Sequence, residues 1–204
     1  MLDISYFDRD LHTVAKALLG CLLVRQTQEG LCTCTIVEVE AYGGGEDDSS
    51  HANSNKPTRK TTSMFMEPGT VYVYSIHKYH CLNVVVRAAQ KPSAILIRAA
   101  EPLEGVELMA MRRNIDLNTP RAHLKLLSGP GKLCQALAID RGEDGLMYDG
   151  DELYFEQGVH IPENEILSSP RIGLNPKTCP ASVEWPWRYT IRGSRYVSKK
   201  VPSA

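Results

Sequence analysis

The run Ile36-Val37-Glu38-Val39-Glu40-Ala41-Tyr42, passing at once into Gly43-Gly44-Gly45-Glu46-Asp47-Asp48, decides how this chain is read. Apolar residues alternate with acids, the period-two pattern of a strand. Alternation sets Ile36, Glu38 and Glu40 on one side and Thr35, Val37 and Val39 on the other. Residues 21–26 and 31–41 form a strand pair around the turn Gln28-Glu29-Gly30. A carboxylate at the end of such a strand, where the backbone enters a polar loop, sits at the edge of a concave surface. There Glu40 can take a proton from water, the base's part in a hydrolysis. The same acids also suit the solvated face of an edge strand.

Working outward, Asp8 or Asp10 caps a helix over residues 11–19, which Gly20 stops. Residues 43–63 are a long polar loop, and structureless loops of that length in compact domains are usually functional or disordered. Strands return at residues 70–75, 81–87 and 94–98. Helices follow at 103–113 and 120–127, and a third opens at Ser128-Gly-Pro-Gly-Lys132 and runs to 138. Short strands are expected at 153–155, 171–173 and 189–191, among prolines. Strands in adjacent runs with helices grouped between them make the class α+β. The expectation is a single compact domain over 1–204, with a mainly antiparallel curved β-sheet and flanking helices.

Composition bounds the function. The hydrophobic fraction of 43% and charged fraction of 23% are those of a folded soluble protein. No apolar window reaches the length of a membrane span. The N-terminus, Met1-Leu2-Asp3-Ile4-Ser5, has no basic segment of a secretory signal, so a cytoplasmic, nucleoid-associated location is expected. The six cysteines contain no C-x-x-C pair and read as free thiols. The net charge of −1 is unevenly spread. Residues 143–165 hold eight acids and no base; from Arg171 onward seven bases face Glu184 alone. One basic face on a neutral protein can grip a phosphate backbone, with Arg192 and Lys199 as candidates. A solvated basic tail fits the charge equally well.

Aromatic side chains cluster near the acidic strand. Tyr42 and His51 bracket the glycine-acid loop, and Tyr72, Tyr74, His77, Tyr79 and His80 share one run. Aromatic faces stack on nucleobases, worth about 1–3 kcal/mol each; Tyr72 and Tyr74 on one strand face also suit ordinary packing. Ser128-Gly-Pro-Gly-Lys132 resembles a phosphate-binding helix start, with Lys132 as its cation, although the P-loop spacing is absent and Ser128 could be a plain N-cap. No H-E-x-x-H, G-x-S-x-G, Rossmann or zinc-deaminase signature occurs. What remains is a hydrolysis without metal or cofactor, built on carboxylate, histidine, arginine and tyrosine.

Taken in order, Leu18-Leu-Gly20, Ile36–Tyr42, Glu46-Asp47 with His51, residues 64–74, Cys81-Leu-Asn83, residues 96–105, Ser128–Leu137 and Arg192-Gly-Ser194 resemble the alkyladenine (3-methyladenine, methylpurine) DNA glycosylase family of the mammalian type. The resemblance covers nearly the whole chain. It implies a monomeric, monofunctional enzyme that flips an alkylated or deaminated purine from double-stranded DNA and hydrolyses its N-glycosidic bond. It implies Glu40 as general base, with Arg98 holding the attacking water. Tyr42 stacks on one face of the extruded base and His51 and Tyr74 on the other. Asn83 meets the 2-amino group of guanine, and the Ile172 backbone carbonyl contacts the water.

The family's intercalating tyrosine falls where this chain has Ile76-His77-Lys78 and is one residue shorter; His77 is the expected wedge and Ile76 the second choice. The acidic 143–165 segment has no match. No lysine near Glu40 points to a Schiff base, so strand cleavage is not expected. Two other readings use the same residues: a lesion-binding protein without catalysis, and a hydrolase of free nucleosides.

Overall fold

A computed structural model describes residues 1–87 and 92–201. Asp3 and Asp10 cap two short helices, α1 (Ile4–Phe7) and α2 (Leu11–Ala17), through their side-chain oxygens. α2 stops two residues before the expected end, and Leu18–Gly20 turn instead. The hairpin follows as read, β1 (Leu22–Thr27) against β2 (Gly30–Tyr42). Then come β3 (Val71–Ile76), β4 (Tyr79–Val86), β5 (Ser93–Glu104), α3 (Val106–Arg113), α4 (Pro130–Ala136), β6 (Leu153–Glu156), β7 (Ile166–Ser169) and β8 (Arg188–Ile191).

All the strands join one antiparallel sheet in the order β3-β4-β5-β2-β1-β6. The far half of β2 pairs with β8 on the side that β1 has left, and β8 carries β7. At Glu38 and Glu40 β2 is therefore central, between β5 and β8, which excludes the edge-strand reading: both acids are 0% exposed.

The expected alternation in β2 is wrong by one residue. Ile36 lies in the main core with Val39 and Ala41, not beside Glu38 and Glu40. The register against β5 shifts on each side of Glu38: Ile36 faces Ala100, Glu38 faces Ala99 and Val39 faces Ile97. Val37 is the extra residue on β2 and Arg98 the extra one on β5. Bulges at one level of both strands re-phase both cores together. Val71, Val73, Leu82, Val84, Val86, Ile95, Ile97, Val39 and Ala41 consequently share the core face. The opposite face carries Tyr72, Tyr74, Asn83, Leu96, Arg98, Glu40 and Tyr42.

Other expectations shift with the same strand. β5 continues to Glu104 where a helix was expected from 103, and α3 starts at Val106. Residues 120–127 form only a 3-10 turn at Ala122–Lys125. Residues 171–173 are not a strand; the strand in this region is β7, which ends before them at Ser169 and which no periodicity marked. Ser128 does not cap α4, whose N-cap is Gly129, and bridges Ala99 instead. The acidic segment, which had no match, is tied into the fold: Glu143 pairs with Arg25 at 2.6 Å, and Asp144 accepts from the Val73 N–H at 2.8 Å.

Gly20 has φ +85, and a Cβ there would meet the Val159 carbonyl oxygen at 2.1 Å. Gly193 has φ +75 with nothing within 4 Å of a Cβ. Gly193→Ala should therefore cost only the left-handed backbone term, about 1–2 kcal/mol. Gly20→Ala should cost clearly more, because the close atom is backbone. Equal losses in chemical denaturation would contradict this account of the Gly20 turn.

Candidate active site

The face opposite the core is hollow. A cavity of about 260 Å³ lies over β3, β4, β5 and the end of β2, with residues 172–174 closing one side. Period two along each strand supplies its lining: Tyr72, Tyr74 and Ile76; Cys81 and Asn83; Ala94, Leu96 and Arg98; then Tyr42. His51 reaches it from the polar loop. Its Nδ1 lies 2.7 Å from the Tyr72 hydroxyl, and its ring meets Tyr74 edge-on at 4.7 Å. Burial lowers the His51 imidazole below its ordinary value of 6.5, so the ring is neutral at neutral pH.

Glu40 lies behind this lining, held on three sides. Arg98 Nη1 donates to Oε2 at 3.2 Å and the Tyr42 hydroxyl donates to the same oxygen at 2.8 Å. The Ile172 N–H donates to Oε1 at 2.6 Å. A carboxylate offers about four acceptor positions, so one on Oε1 is left without a protein donor. Burial, then the Glu40 charge, raises the Tyr42 phenol well above its ordinary value, which keeps it protonated as a donor. Ile172 was expected to contribute its carbonyl; the group on Glu40 is its N–H.

Arg98 is shared. Its Nε donates at 3.0 Å to Glu38 Oε1, which also accepts from Arg188 Nε at 2.8 Å and Ser198 Oγ at 2.7 Å. The Ser198 N–H closes on the other Glu38 oxygen, and Arg188 donates to the Lys199 carbonyl. Burial works against the Arg98 charge, but Glu40 and Glu38 outweigh it and raise its pKa. Two buried carboxylates thus meet two buried guanidiniums.

A third pair stands behind Tyr42. Arg171 and Asp47 are bonded twice, at 2.6 and 2.9 Å, with both side chains fully buried. Arg171 also donates to the Ala41 carbonyl at 2.8 Å, and its guanidinium stacks 4.7 Å from the Tyr42 ring centre and 5.1 Å from that of Trp187. Sequence reading passed over Glu38, Arg188, Ser198 and this pair. The available signals were acids inside a strand that runs between apolar neighbours, and Arg188 set within Trp187-Arg-Tyr189.

Asn83 is 2% exposed and its amide direction is determined by its surroundings. Nδ2 donates to the Tyr72 carbonyl at 2.9 Å and the Cys81 carbonyl at 3.1 Å. Two carbonyls need the NH2 end, so Oδ1 is the end turned away from the strands. Ile76 lines the cavity mouth and is 49% exposed; His77, φ 53, stands in the β3–β4 turn without lining it. Lys132, Arg192 and Lys199 are exposed outside the cavity. Among the described residues no group of His, Cys, Asp and Glu is gathered as a metal ion would need, and no helix is long and apolar enough to cross a membrane.

Residues 5–195 match the family described as methylpurine-DNA glycosylase (MPG). The chain is 41% identical over 198 residues to a protein of Bacillus licheniformis named putative 3-methyladenine DNA glycosylase, covering 97% of this chain and 96% of that one. Proteins with the same name from Bacillus subtilis (40% over 198 residues, 97% and 96% covered) and Clostridium perfringens SM101 (39% over 202 residues, 96% and 98%) are similarly close.

Burial alone would raise the Asp47 carboxyl, but the bonds from Arg171, Ser49 and Gly43 prevail and hold it below 3.8. A folded-state value below the unfolded one contributes stability above the unfolded value, lost as pH falls through the folded one. Stability should thus decline below about pH 4 in part through Asp47. Asp47→Asn should be less stable at neutral pH by about 3–5 kcal/mol, because Arg171 is left unpaired, and should show a shallower acid decline. Denaturation midpoints across pH that fall in parallel for both proteins would contradict this role.

Proposed function

Since the chain belongs to the methylpurine-DNA glycosylase family and is thereby a hydrolase of N-glycosyl bonds in DNA, we propose that its cavity receives a damaged purine flipped out of the duplex. The bases accepted are alkylated or deaminated: 3-methyladenine, 7-methylguanine, hypoxanthine and ethenoadenine. The observation that carries the reading is Glu40, a buried carboxylate behind the cavity lining with three donors in place and one acceptor position on Oε1 without a protein donor.

A water on that position gives its proton to Oε1 while its oxygen attacks C1′ of the damaged nucleotide. The N-glycosidic bond breaks and its electron pair leaves with the purine, so the sugar gains the hydroxyl and Glu40 the proton. A cationic alkylated purine leaves as a neutral base and needs no acid. Arg98 and the Tyr42 hydroxyl hold the far oxygen of Glu40, leaving Oε1 aimed at the water. Neutral lesions need help at the leaving purine; His51 is the candidate, and because its ring is neutral that help is a hydrogen bond from a ring N–H rather than a transferred proton. The Ile172 carbonyl stays a candidate second contact for the water, while its N–H restrains Glu40.

Tyr42 on one side and His51 with Tyr74 on the other are the stacking walls. His77 at the exposed hairpin turn fills the gap left in the duplex, with Ile76 at the cavity mouth as the alternative. Lys132, Arg192 and Lys199 meet phosphates outside the pocket. Asn83 excludes guanine by bulk at the 2-amino position.

Glu40→Gln keeps the shape and cannot take the proton. Its single-turnover release of 3-methyladenine should fall by about 10²–10⁴-fold with lesion binding within a few-fold. Retention of more than about a hundredth of the wild-type rate would remove Glu40 as the base.

Asn83→Ser shortens the side chain without touching Glu40 or Arg98. It should release undamaged guanine, first where guanine is mispaired and flipping costs least. A purely structural Asn83 would instead lose thermal midpoint and every activity together. A folded variant active on 3-methyladenine and silent on mispaired guanine would end the steric reading.

A further inference from the structure

Arg171 makes all its hydrogen bonds through its two Nη groups. Its Nε is buried without a partner, an arrangement that costs about 1–3 kcal/mol, while its guanidinium lies between Tyr42 and Trp187. Tyr42 lines the cavity and Arg171 does not, so the Tyr42 ring separates this cation from whatever occupies the cavity. Of the other buried charges near the site, Glu38 and Glu40 are matched by Arg98 and Arg188. Asp47 is what cancels Arg171, through both Nη groups.

We propose that Asp47 determines whether the cavity accepts a positively charged base: by neutralising Arg171 behind Tyr42, it removes a repulsion that a cationic purine on the front of that ring would otherwise meet. The proposal rests on the reading that the flipped base stacks on Tyr42. A base in contact with the front of the ring would lie roughly 8 Å from the guanidinium, where an uncompensated charge at an effective dielectric of about 20 weakens cation binding by about 30-fold. An uncharged base of the same shape feels almost none of this. The pair thus acts on the charge of the lesion, separately from Asn83, which acts on its shape.

The test compares two duplexes. One carries 3-methyladenine, cationic as the nucleotide, with its half-saturating concentration read from single-turnover rates. The other carries 3-methyl-3-deazaadenine, its uncharged isostere, read as a competitor. Asp47→Asn leaves Arg171 uncompensated and should shift the ratio of the two affinities at least tenfold against the cation. Arg171→Met leaves Asp47 uncompensated and should shift it the other way, and the double variant should return it to within about threefold of wild type.

Shifts of opposite sign cannot come from a structural role, which weakens both duplexes together. Should Asp47→Asn not fold, the Arg171→Met ratio decides alone. An unchanged ratio in a folded single variant, or shifts of one sign in both, overturns the proposal. A wild-type protein that binds neither duplex would instead overturn the base-pocket reading.

Discussion

Glu38 and Glu40 lie two residues apart on one strand, both without solvent contact, and the rest of the structure has to satisfy them. An ionised carboxylate taken from water into protein carries a penalty of several kcal/mol unless partners replace its hydration. Arg98 answers both acids, and Arg188 and Ser198 complete Glu38. Those partners come from far apart in the chain, so the requirement acts at long range. It brings β8 against β2 and folds residues 198–199 over the cluster. Removing Glu38 would leave the buried Arg188 without a carboxylate partner, and Arg98, shared by both acids, ties the geometry of Glu40 to that pair.

The paired bulges are the backbone's part of the same solution. A strand without them would send Glu38 and Glu40 to the face that Ile36 occupies, which is the main core. One extra residue on each of β2 and β5 keeps the core continuous and turns the acids and Arg98 to the hollow face. The cavity then needs little further construction, because alternate residues of four adjacent strands line it. The charge arrangement also leaves the site neutral: three buried acids stand against three buried arginines. The uncompensated cations Lys132, Arg192 and Lys199, proposed to meet phosphates, are all exposed outside it.

The hairpin, the α+β class and the antiparallel sheet were legible because they rest on local periodicity and turn residues. Glu40, Tyr42 and Tyr74 were legible as a strand-end acid with aromatics on neighbouring segments, and they do line or back one cavity. Asn83 and Arg98 came from the family resemblance alone; nothing in their own surroundings in sequence marks them. The phase of Ile36 was misread because a bulge is a property of two paired strands, and one strand's pattern cannot display it. Arg171, Arg188 and Ser198 escaped because their carboxylate partners lie more than 120 residues away. β7 escaped because four residues, Ile-Leu-Ser-Ser, are too few to show a period.

This buried network holds Glu40 with one acceptor position on Oε1 without a protein donor, the place proposed for the attacking water. A crystal structure with a duplex carrying a purine lesion on a 2′-fluoroarabino sugar, which resists cleavage, tests it most directly. The base is expected between Tyr42 and the His51–Tyr74 pair, with Arg98 and Ile172 still on Glu40 and a water bonded to Oε1 below C1′. A base lodged in the cavity with no water on Glu40, or with Glu40 turned away from the sugar, would contradict it.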